Sequence, residues 1–137
     1  MYKNILVCIE PTHAEKHEHA LSTALRLAED TTATVTALTI IEPIPGNFPG
    51  TEIPQDLHEK AGERSMAELR HFVGPRSDIQ TEIRHGHAAR EILAFADEHK
   101  IDCIVIASHK PELVDYLLGS TAARVVRHAP CSVHVIR

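Results

Sequence analysis

Five consecutive apolar residues at Cys103–Ala107, closed by Ser108-His109-Lys110-Pro111, constrain the fold of this chain more than any other stretch. A run so short and unbroken is a strand covered on both faces, the condition of a parallel sheet with helices on either side. Pro111 keeps a helix from starting at once, and the chain continues through Leu118 to Gly119-Ser120-Thr121, which opens a short helix from Ala122 to His128. A glycine followed by hydroxyls at the first N–H groups of a helix suits an anion such as phosphate. The same residues serve an ordinary helix start, with Ser120 as its N-cap.

The pattern repeats along the chain. Asn4 to Ile9 is a second covered strand, stopped by Glu10-Pro11-Thr12. Ala20, Leu21, Ala24, Leu25, Leu27 and Ala28 recur at helical spacing and give a helix from about His13 to Asp30, with Thr12 as N-cap. Ala33 to Ile41 is a strand. Pro43 to Pro54, rich in Pro and Gly, is a loop suited to a lid or flap. Gln55 to Val73 is a helix ended by Gly74-Pro75, and Ile79 to Arg84 is a strand polar enough for a sheet edge. Gly86 turns into a helix from His87 to Lys100, and Cys131 to Ile136 is the last strand. The resulting β-α-β-α-β-α-β-α-β order predicts an α/β fold, a five-stranded parallel sheet with helices on both faces, in one domain over residues 1–137.

Such sheets bind ligands at the carboxyl ends of the strands, where strand order reverses and the first and fourth strands lie side by side. That rule selects Glu10, Pro11 and Thr12, then Ile40 and Ile41, then Ile106 to Lys110 with Ala107 and His109, and finally Gly119, Ser120 and Thr121. Neither G-x-x-x-x-G-K-[ST] nor G-x-G-x-x-G occurs, so a nucleotide site here is of another kind.

Charge and composition narrow the function. A net charge of −5 with no Trp argues against a nucleic-acid surface, which needs a basic stripe or stacking platforms. No run is long enough for a bilayer span and the first residues lack the pattern of a signal peptide, so the expected compartment is the cytoplasm. Cys8, Cys103 and Cys131 lie in or beside apolar runs without C-x-x-C spacing and read as small buried hydrophobes. Eleven histidines are many, but His13, His17 and His19, or His85 and His87, complete no recognised zinc pattern, so they read as solvated surface residues and no metal site is expected. Ser108, His109 and Glu10 superficially offer a nucleophilic triad. Adjacent side chains on extended backbone point to opposite sides, which disfavours it. Val133, Val135 and Ile136 are too apolar for an uncovered edge, which predicts pairing of Ser132 to Ile136 with a second copy.

The segment from Ile106-Ala107-Ser108-His109-Lys110 through Gly119-Ser120-Thr121-Ala122-Ala123-Arg124 to Val133-His134-Val135-Ile136, with Tyr2-Lys3-Asn4-Ile5-Leu6-Val7 and Gly86, resembles the universal stress protein family over the whole chain, above all its F/G-type branch. The resemblance implies an adenine nucleotide alpha hydrolase-like sheet of strand order 3-2-1-4-5 and a homodimer joined through the last strand. In one subgroup it also implies ATP held by G-x2-G-x9-G-[ST]. The family's aspartate after the first strand falls on Glu10, and the residue whose backbone meets adenine falls on Ile40. The first two motif glycines fall on Ala107 and Lys110, the following spacer is eight residues rather than nine, and Gly119-Ser120 is intact. Lys110 would offer a charge where the motif offers backbone donors. The function so implied is a stress-response protein that binds ATP or AMP as a regulatory or protective module, with no catalytic residue assigned. The alternatives are a slow ATPase or self-phosphorylating enzyme, with Ser120 or Thr121 accepting phosphate, and a nucleotide-free interaction protein.

Overall fold

Each apolar run forms a strand, and each helical-period stretch forms the helix that returns over the sheet. The computed structural model describes residues 1–43, 54–76, 78–108 and 118–137, apart from the side chains of Thr12 and Ala14. In chain order these are β1 (Asn4–Cys8), a 3-10 turn (Pro11–His13), α1 (Ala14–Glu29), β2 (Thr34–Ile41) and α2 (Gln55–Val73). There follow β3 (Ile79–His85), α3 (Ala88–Glu98), β4 (Cys103–Ala107), α4 (Ser120–His128) and β5 (Ser132–Ile136). All four strand pairings are parallel, and the order across the sheet is β3-β2-β1-β4-β5.

Alternation along β1 divides the core. Ile5, Val7 and Ile9 pack with Ala20, Leu21 and Ala24 of α1 and Leu69 and Val73 of α2. Leu6 and Cys8 pack on the other face with Ile92, Phe95 and Ala96 of α3 and Ala122 and Val125 of α4. A strand buried on both faces has no polar side to spare, which is why β1 is apolar from Ile5 onward and β4 throughout. The outer strands differ. β3 bears Gln80, Glu82 and Arg84 and is an edge, as its composition requires; β5 is the other edge, with Val133 and Val135 half-buried.

The start of the sheet is tied by side chains. The Asp102 carboxylate accepts the backbone N–H groups of Lys3 (2.8 Å) and Asn4 (3.1 Å), Asp102 N–H donates to the Asn4 carbonyl, and Asn4 Nδ2 donates to the Lys100 carbonyl. Lys100 has φ of 52°, and Ile101 N–H donates to Ala96 O across it, so α3 ends in a Schellman turn with lysine where glycine is easiest. At the other end of α3 the turn requires glycine. Gly86 has φ of +144°, and a Cβ there would meet the Glu91 side chain at 2.8 Å.

Two helix starts differ from the sequence expectation. His13, not Thr12, occupies the N-cap position of α1, and no side chain caps it. The chain leaving β1 winds first into a 3-10 turn, closed by His13 N–H to Glu10 O at 3.0 Å, which moves the helix start onward. Helix α4 begins at Ser120 rather than Ala122, with Gly119 at the N-cap position and no side-chain cap, so Ser120 belongs to the helix instead of capping it. The lid expected between Pro43 and Pro54 falls mainly on residues 44–53, outside the described residues. Among the described residues no helix is long and apolar enough to cross a membrane.

Candidate functional site

β1 and β4 pair as far as Val7 and Val105, after which β1 leads into α1 on one face of the sheet and β4 leads toward α4 on the other. A cavity of about 300 Å³ opens at this divergence. The end of β1 and the residue after it contribute Cys8 and Ile9, β2 Leu38 and Ile40, β4 Ile106 and Ala107, and α3 Ala88 and Ile92, so most of its wall is apolar. Polar groups come from both sides: Glu10, His13 and His17 after β1, Glu42 after β2, and Ser120 and Thr121 at the start of α4. An apolar cleft with a few convergent polar groups is the form of a small-molecule site, and this volume is at the lower end for one.

Backbone groups released where the strands part are each given a partner. The Ile9 carbonyl accepts from Thr39 Oγ1 at 2.9 Å, and Ile9 N–H donates to Leu38 O. The Cys8 carbonyl lies beyond the last β1–β4 pair, and His17 Nδ1 meets it at 3.2 Å. A carbonyl only accepts, so Nδ1 carries the hydrogen.

Ser108 holds the far wall. Its N–H donates to Ile136 O at 2.8 Å, its carbonyl accepts from Lys16 Nζ at 3.1 Å, and its buried Oγ accepts the Gly119 N–H at 2.9 Å. This residue therefore fixes the start of α4 beside the ends of β4 and β5. Gly119 has φ of −59°, and the N–H groups of Ser120, Thr121 and Ala122 in the first turn have no intrahelical acceptor. They supply the partial positive charge of a helix N-terminus to a wall of the cavity.

The other ionisable groups fit a binding cleft. Glu42 Oε1 accepts the Ala88 N–H at 3.2 Å and so caps α3 from the end of β2. Glu10 and His13 face each other at 3.3 Å, both more than half exposed, a pairing that water weakens. Burial pushes the Cys8 thiol up to about 12, so it is neutral at ordinary pH and serves as apolar wall. Among the described residues no group of three or more His, Cys, Asp or Glu is placed to hold a metal ion.

Of the residues singled out in the sequence, Glu10, Ile40, Ile106, Ala107, Gly119, Ser120 and Thr121 come together around this one cavity. Pro11 sits half-buried in the 3-10 turn and does not line it. Thr12 is in the same turn, its side chain outside the described residues, and His109 and Lys110 also lie outside them. His17 corrects an expectation. It is 4% exposed and not a solvated histidine. The available signal was its spacing three and four residues before Ala20 and Leu21, on the buried stripe of α1. Glu42 was overlooked because a carboxylate after a strand announces no partner in sequence.

An open, doubly wound α/β sheet with a cleft at its switch point defines a broad class of small-molecule binders. The universal stress protein family model matches residues 1–137, and the chain belongs to that family. It is 29% identical to Universal stress protein G of Escherichia coli O157:H7, with all of both chains covered. The solved universal stress protein UspA from Lactobacillus plantarum superposes with a TM-score of 0.72 at 28% identity, over 99% of this chain and 98% of that one. The universal stress protein from Archaeoglobus fulgidus in complex with dAMP gives a TM-score of 0.63 at 20% identity over 99% and 98%, a likeness of fold alone.

Proposed function

We propose that this stress-response family member binds an adenine nucleotide, ATP or AMP, in the cleft between β1 and β4 and acts through that binding as a regulatory or protective module. The observation that carries the reading is the meeting of apolar side chains, Ile40 and Ile106, with the start of α4 at Gly119, Ser120 and Thr121 in one cavity. A base packs on apolar side chains, and a phosphate is drawn to helix N–H groups. In this reading adenine lies beside Ile40 and Ile106, the phosphates lie at Ser120 and Thr121, and Glu10 accepts a hydrogen bond from the ligand. Lys110 is assigned to the phosphates by its position in sequence. The dAMP complex of a protein with the same fold supports the choice of ligand class.

Calorimetry and thermal unfolding with ATP, ADP and AMP test the reading. Saturation at about 100 times Kd is expected to stabilise the fold by about 2.7 kcal/mol. Absence of both heat and stabilisation at millimolar nucleotide overturns it, and release of ADP or labelled protein during the assay would favour the ATPase or self-phosphorylation alternative.

We further infer a cytoplasmic homodimer through β5. Among the described residues this strand pairs only with β4, and its half-buried Val133 and Val135 suit antiparallel pairing with a second copy about a twofold axis. Val135→Pro, which removes a backbone donor, is expected to give folded monomers in sedimentation. A dimer that persists unchanged places the interface elsewhere.

A further inference from the structure

Resting on that nucleotide-binding reading, we propose that Lys16 is the residue by which the cleft favours ATP over AMP, its ammonium meeting the phosphates beyond the first. The wall of the cavity is short of positive charge for such a ligand. Among the described residues that line it there is no Lys or Arg, and Glu10 and Glu42 bring carboxyl groups. The start of α4 supplies about half an elementary charge, and that influence falls off within the first turn. It favours the phosphate seated on it and does little for a second or third.

Lys16 stands one residue behind that wall. Its Nζ donates to the Ser108 carbonyl at 3.1 Å in a half-buried contact. Ser108 in turn joins two parts of the wall, following Ala107 in the chain and accepting the Gly119 N–H on its Oγ at 2.9 Å. On the α1 side the lysine lies between His13 and His17, and both line the cavity. Ser108 still pairs with β5, through its N–H and the Ile136 carbonyl, so the chain is extended there. It therefore lies about 7 Å beyond Ile106 along the strand, which puts the ammonium at the outer rim, past the place given to the base and one residue from the start of α4. With three N–H donors, an ammonium can hold the Ser108 carbonyl and a phosphate oxygen together. Its attraction for added phosphate charge is screened less in a half-buried position than on open surface. AMP keeps its one phosphate on the α4 start and gains little from Lys16, whereas ADP and ATP extend to the rim.

The experiment is calorimetry of the full chain with AMP, ADP and ATP, without divalent cations, on wild type, Lys16→Met and Lys16→Arg. Lys16→Met is expected to weaken ATP about tenfold, ADP less and AMP no more than about twofold, as loss of one charge-assisted contact implies, with Lys16→Arg restoring most of the ATP affinity. The wild-type ratio of ATP to AMP affinity should also fall as salt is raised. A lysine that only held the Ser108 carbonyl would act through the start of α4 and weaken all three ligands alike. That result overturns the proposal and leaves the nucleotide reading intact. Affinities unchanged in Lys16→Met also overturn it, and leave the outer phosphates to Lys110. Lys3→Met removes the same charge from an exposed position at the opposite end of the sheet and should leave the ratio as it is. An equal fall there overturns the proposal in favour of an effect of net charge. Should Lys16→Met not fold, wild-type affinity for ATP no greater than for AMP overturns it. Failure of all three nucleotides to bind overturns this proposal together with the reading beneath it.

Discussion

The two ends of the β1–β4 pair are built for opposite tasks. At the amino end the strands are fastened by Asp102, which accepts two backbone N–H groups, and by Asn4, which reaches the Lys100 carbonyl. At the carboxyl end the same strands separate: the backbone carbonyls that follow β1 pairing are met by His17 and Thr39 from elsewhere, and Ser108 Oγ, just after β4, accepts the Gly119 N–H. One end closes a gap; the other holds a cavity open between walls fixed by hydrogen bonds. Parallel sheets make this division natural, since connections cross at their carboxyl ends where strand order reverses.

The largest effect should come from cutting the fastening. Asp102→Ala removes two charge-assisted bonds, one partly buried, and is expected to cost about 2–3 kcal/mol in denaturant unfolding while nucleotide affinity stays the same. A matching loss of affinity would mean that the ends are coupled. Ser108→Ala at the opposite end strands the buried Gly119 N–H and should cost about 1–2 kcal/mol. Here affinity for AMP should fall too, because the start of α4 loses its anchor; stability lost with affinity unchanged would detach α4 from the site. The smallest effect is a gain. Lys100 holds a left-handed conformation, so Lys100→Gly is expected to stabilise by about 1 kcal/mol with no change at the cleft, and a loss of stability would show that the lysine side chain itself contributes.

The same contrast explains what the sequence could reveal. The bounds of α2 and β4 follow directly from helical spacing and from an unbroken apolar run, because burial there is dictated by local pattern. The walls of the cleft were legible for a related reason: Ile40, Ile106 and Gly119 to Thr121 stand at strand ends and at a helix start, where the topology itself puts them. Helix caps were less legible. A hydroxyl at Thr12 or Ser120 signals a cap only if the preceding backbone is extended at that residue, and a 3-10 turn and an early helix start shifted both. His17 and Glu42 were hidden because their partners, a β1 carbonyl and an α3 N–H, are orphaned by tertiary geometry and leave no trace in residue spacing.

Confinement of ligand binding to the carboxyl end is open to test by amide chemical shifts during titration of the full chain with AMP. Saturable shifts are expected at Glu10, Ile40, Gly119, Ser120 and Thr121, with Lys3, Asn4 and Asp102 unmoved. Shifts centred on the amino end, or none anywhere at millimolar AMP, would contradict it.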